Sequence, residues 1–183
     1  MHAVPRARAC AGFTLAEVLV ALFVAALGIA GAAAVQATAL RSGREAARIA
    51  DGVQLAAALA ERMRANPAAM AHDDAANPYL QLDYDASTAG PPALVDCFGA
   101  AACTSAELAQ FDLSEVTREF AARFPGGRIL ACRDLAAPDA AGLPSWTCNG
   151  QPGAPVVIKL GWREAGDAAA LPRVLLPVAR GGA

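Results

Sequence analysis

Residues 18–35 read VLVALFVAALGIAGAAAV, a stretch without a charged or strongly polar side chain. As a helix rising ~1.5 Å per residue it would be about 27 Å long, close to the ~30 Å of bilayer hydrocarbon. Phe13, Thr14 and Leu15 lengthen it enough to span, with Glu17 as the only charge. Every proline except Pro5 lies further along, where apolar and polar residues mix. The chain therefore reads as an anchor followed by a globular part, and its 183 residues suffice for one ordinary domain with its own core.

The hydrophobic share is 56% but only 5% is aromatic, so alanine, leucine and valine dominate, which favours helix over a sheet-dominated fold. The formal charge is -2 and the 15 Lys and Arg are spread along the chain, so direct binding of nucleic acid is not predicted. Five cysteines are present: Cys10 before the apolar run, and Cys97, Cys103, Cys132 and Cys148 after it. Removal of the first dozen residues would leave four. Of the three possible pairings, the local one, Cys97–Cys103 with Cys132–Cys148, closes the shortest loops and is the one expected. With two histidines and no CxxC pair, neither a metal site nor a cofactor is predicted.

The start, MHAVPRARACAG, is short and basic through Arg6 and Arg8. An ordinary signal peptide fits a basic start and apolar stretch, with Ala32, Ala33 and Ala34 offering a cleavage site. An uncleaved anchor also fits. A lipoprotein signal does not, because Cys10 precedes the apolar stretch.

Gly12-Phe13-Thr14-Leu15-Ala16-Glu17, leading into the apolar helix, resembles the type IV prepilin signature; Ala16 stands where that family more often has isoleucine or valine. The resemblance implies that a membrane aspartic prepilin peptidase cuts between Gly12 and Phe13 on the cytoplasmic side, after which the Phe13 amine is N-methylated. It also gives Glu17 a purpose. A charge near the middle of an apolar helix costs roughly 2.5–3.5 kcal/mol, and less near the interface. Cleavage creates a cationic amine four residues away, and in a staggered bundle one subunit's amine can face another's Glu17 carboxylate, fixing register more than adding stability. Loss of Arg6 and Arg8 would leave 13 basic against 17 acidic side chains, a charge of -4. Arg41, Arg44 and Arg48 outnumber the basic residues before the run, so the positive-inside rule does not orient the chain. The cysteines and the resemblance place the globular part outside the cytoplasm.

No proline lies between Pro5 and Pro67, which predicts a helix over about 14–65, some 78 Å at ~1.5 Å per residue. Past Gln36 it becomes amphipathic, with Ala46, Ile49, Val53, Ala56, Ala60 and Met63 as the expected core stripe. Gly28, Gly31, Gly43 and Gly52 weaken it by up to ~1 kcal/mol each, and either close packing or local unwinding would account for them. Glu61-Arg62-Met63-Arg64-Ala65-Asn66-Pro67 is a good stop signal. The same ERMRANP segment resembles the PilV family of type IV pilus modification proteins.

The expected organisation is a leader, 1–12; a long helix, 13–66, with an assembly half 13–36 and an amphipathic half 37–66; and a disulfide-bonded globular part, 67–183. Residues 68–95 read as a long irregular loop. Thr104 and Glu107 have capping-box spacing, opening a helix that Pro125-Gly126-Gly127 stops, with Phe120 and Phe124 in the core. Strands are expected at 127–132, 146–148, 156–163 and 173–178, the last two pairing and Cys132 and Cys148 clipping neighbours. The fold class expected is α+β, pilin-like: a long N-terminal helical spine with a small antiparallel sheet in the C-terminal part.

No nucleophile, acid–base or phosphate-binding constellation is present, and His72 with Asp73 and Asp74 reads as a solvated loop, so no enzyme is expected. The resemblance implies a minor type IV pilin that waits in the inner membrane and enters a pilus with major and minor pilins and the assembly machinery. It would help prime assembly and support adhesion, twitching motility or DNA uptake. A minor pseudopilin of type II secretion shares the leader and spine, and a secreted binding domain with an ordinary signal peptide is the reading from a different class.

Overall fold

The computed structural model describes residues 12–99, 102–135, 144–151, 153–164, 167 and 170–178. The first eleven residues of the expected leader, with Cys10, lie outside them. The chain divides into two compact units, residues 1–46 and 47–183.

The first unit contains residues 15–46 of helix α1, which runs Leu15–Ala65 over 51 residues. Its described side chains are exposed throughout, Leu22, Phe23 and Leu27 among them, and an 18-residue window of mean hydropathy 2.6 has no buried share. This helix is long and apolar enough to cross a membrane.

The second unit is α+β. Residues 47–65 of α1 carry a buried stripe of Gly52, Leu55, Ala56, Leu59, Ala60 and Met63. The expected stripe is corrected here: Ala56, Ala60 and Met63 are core, but Ile49 and Val53 are 38% and 43% exposed. The buried face turns toward Gly52, Leu55 and Leu59 instead. At Gly52 the sheet comes close, since an added Cβ would lie 3.1–3.3 Å from Trp162 and Val174. Close packing, not unwinding, explains this glycine.

A short helix α2, Pro67–Met70, and a 3-10 turn, Pro78–Gln81, follow. Both open on an Asn-Pro pair whose asparagine side chain accepts a backbone N–H, Ala69 N for Asn66 and Tyr79 N for Asn77. Strand β1, Asp83–Asp85, comes next. The stretch expected to be one irregular loop is thus partly built. Helix α3, Ser105–Arg123, starts on Thr104 with the full reciprocal capping box to Glu107.

Strands β2 Arg128–Arg133, β3 Val156–Trp162 and β4 Leu171–Val178 complete an antiparallel sheet of order β1-β2-β3-β4. One face, with Ile129, Ala131, Ile158, Leu160, Trp162 and Val174, packs on the α1 stripe and on Val116 and Phe120 of α3. Phe124 stacks between Phe120 and Trp162 at ring distances of 5.2 and 4.7 Å. Residues 146–148 are not a strand. They belong to a coil, residues 144–151, laid over the opposite face, where Lys159 donates to Ser145 O and Thr147 O and the Trp146 ring occupies the space above Gly161. The alternation that would mark a strand is absent because this coil is fixed through its backbone carbonyls, and β3 already pairs with β2 and β4.

Candidate functional site

Gly12 and Phe13 are exposed, Phe13 at 88%, so the bond between them is accessible. The helix begins two residues further on, and Glu17 sits in its first turn. Glu17 is not solitary there. Its carboxylate accepts from Thr14 N at 2.9 Å and Thr14 Oγ1 at 3.0 Å, while Glu17 N donates to Thr14 Oγ1 at 3.3 Å. This is a capping box, and a carboxylate in a first turn is also favoured by the helix dipole. Sequence reasoning gave Glu17 only an intermolecular partner. The Thr-x-x-Glu spacing that marks Thr104 and Glu107 is equally present at Thr14 and Glu17 and is the signal that finds it.

ERMRANP closes α1 by splitting its residues among separate tasks. Met63 enters the core. Arg62 reaches α3, its Nη1 lying 3.2 Å from Asp112 and 2.9 Å from Glu115. Arg64 pairs with Glu61 on the surface. Asn66, besides capping α2, donates to Ser105 O at 2.7 Å and contacts Tyr79 Oη at 3.4 Å, and Tyr79 donates to Asp112 Oδ2 at 2.6 Å. Tyr79 is fully buried; that burial first, and the hydrogen bond to Asp112 second, push its hydroxyl well above the usual value of about 10. The segment is therefore a structural junction tying α1, α2, the 3-10 turn and α3.

Cys97 pairs with Cys103 and Cys132 with Cys148, at Cα separations of 5.9 and 6.2 Å. The second bond does not clip two strands; it fastens β2 to the 144–151 coil. His72 is exposed, and Asp74, beside it, is held by Arg133 at 2.7 Å. Among the described residues no cluster of three or more His, Cys, Asp or Glu is placed to hold a metal.

The sheet offers little as a polymer contact. Edge strand β1 is three residues long with two aspartates, and Arg128 pairs with Asp83 across it at 2.7 Å. Edge strand β4 carries Pro172 and Pro177, each without an N–H. Short, charged and proline-bearing edges resist strand addition. Among the described residues, the long exposed apolar surface is the helix of residues 15–40.

Comparison with known families agrees with this division. The prokaryotic N-terminal methylation motif matches residues 7–33, spanning Gly12 to Glu17 and most of the apolar run. The family model described as type IV pilin Tt1218 matches residues 34–114, from the last two residues of that run through half of α3. Together they support a type IV pilin. Type IV pilin families are structural and non-enzymatic, and the apolar helix and methylation motif are consistent with membrane anchoring and pilus incorporation. No curated protein and no solved structure matches the chain.

Proposed function

We propose that the chain is a minor type IV pilin of the PilV kind, anchored in the inner membrane with its globular part on the periplasmic side until it enters a pilus. The observation that carries this is the methylation motif lying on an exposed apolar stretch, residues 13–40, whose only charge is Glu17. In this reading prepilin peptidase cuts after Gly12 and Phe13 is N-methylated. The residues 13–36 are then the assembly contact, the residues 37–66 carry the domain, and 67–183 form the globular part.

The new amine at Phe13 would stand beside the Thr14–Glu17 capping box, so Glu17 exchanges a local partner for a cationic one on a neighbouring helix. Such a pair orients subunits rather than adding much stability. ERMRANP supports the PilV assignment, and the subunit would prime assembly with major and minor pilins and so support adhesion, twitching motility or DNA uptake. The test is Glu17→Ala followed through processing and shearing of pili. Cleavage stays largely intact and the subunit is lost from the sheared fraction; normal incorporation of Glu17→Ala refutes the assembly role.

A further inference from the structure

Lys159 lies in the middle of β3 and is fully buried, a place where an ammonium group is costly unless paired and hydrogen-bonded. Its Nζ donates to Ser145 O and Thr147 O at 2.8 Å each and lies 2.5 Å from Asp134 Oδ2. The last contact is charge pairing, since Oδ2 makes no hydrogen bond among the described residues, while Asp134 Oδ1 accepts Asn149 N at 3.3 Å. Thr147 and Asn149 are the two neighbours of Cys148. The ion pair thus grips the backbone on both sides of that cysteine. Cys132 sits opposite Val157, two residues along β3 from Lys159 and on the same face of the sheet, where Cys148 meets it.

We propose that Lys159 and Asp134 are positioning residues for disulfide formation: they seat residues 145–149 on the sheet so that Cys148 reaches Cys132 in preference to Cys97 or Cys103. The chemistry is thiol–disulfide exchange with an external disulfide oxidant. One cysteine thiolate attacks the oxidant and forms a mixed disulfide, releasing one of its thiols. The second thiolate then displaces the other, so the two cysteines lose two protons and two electrons and the oxidant is reduced to two thiols. Closing a loop of separation 16 carries an entropy cost that prior seating of the coil offsets in part. Cys97–Cys103, separation 6, is an internal control that this ion pair does not touch. The inference concerns the globular part and does not rest on the assembly reading.

The test uses the full chain carrying Cys10→Ser, reduced in detergent and reoxidised with glutathione disulfide, with timed thiol blocking and peptide mapping. Lys159→Met and Asp134→Asn each slow Cys132–Cys148 formation about tenfold, the equivalent of one charge-assisted hydrogen bond, and give mispaired products, while Cys97–Cys103 closes at its normal rate. The double exchange Lys159→Met with Asp134→Leu, which leaves no unpaired charge, stays just as slow. A second measurement holds if a variant fails to fold: in Cys132→Ser/Cys148→Ser, exchange of the Asn149 amide, which donates to Asp134 Oδ1, stays slowed because the ion pair still holds the coil. Normal rate and fidelity in Lys159→Met, or free exchange of the Asn149 amide once the disulfide is gone, overturns the proposal.

Discussion

The two ends of α1 have similar apolar content and opposite fates. Residues 15–46 have no buried side chain, whereas residues 52–63 place five on the core. The difference is supplied by the rest of the chain: the second stretch meets a sheet and α3, and the first leaves its described side chains exposed. An apolar helix left bare carries a transfer free energy of about 25 cal/mol per Å² that only lipid or other helices can recover. The core-building and anchoring parts of the helix therefore respond to substitution in different currencies, fold stability for one and membrane retention or filament entry for the other.

Paired exchanges sharpen that contrast. The largest effect is expected from Leu59→Ala, a fully buried position, which should cost about 2–5 kcal/mol in the denaturation of the globular part, while Leu22→Ala leaves that transition unchanged. Equal shifts from both would break the comparison. Gly161→Ala should cost about 1–3 kcal/mol or prevent folding, because its Cβ would meet Leu171 O at 2.0 Å; Gly28→Ala, with open space around it, should only strengthen the helix by up to ~1 kcal/mol. Thr104→Ala removes the cap of α3 at a cost of about 1 kcal/mol, readable as a shift in denaturation midpoint.

The smallest effect is on pH dependence. Tyr79 has its folded-state value raised, so the folded state holds that proton more tightly. Its contribution is complete below the unfolded value of about 10 and is lost as pH rises further through the folded value. An alkaline loss of stability that disappears in Tyr79→Phe is the expected signature.

Much of this was legible from residues. The span of α1 followed from the absence of proline, the α3 cap from Thr104 and Glu107, and the inner strand β3 from the alternation at 156–163. The buried stripe departs from expectation at Gly52, Leu55 and Leu59 because Ile49 and Val53 are as apolar as the two leucines, so periodicity alone does not choose between the faces. The strand expected at 146–148 failed because what holds that coil is a lysine on another element, which no local pattern reveals. The Asn-Pro turns hid β1, whose three residues carry too few side chains to show a period. At the amino end the spacing of Thr14 and Glu17 marks the local cap, although a lone carboxylate in an apolar run also suits an intermolecular partner.

The most direct test of the account is the mass and sequence of the amino terminus of the protein isolated with its membrane or pilus fraction. A chain beginning at N-methylated Phe13, with the bare helix retained, is the predicted result. A chain beginning near Val35 would mean that the apolar segment is discarded, and the helix could then be no assembly contact at all.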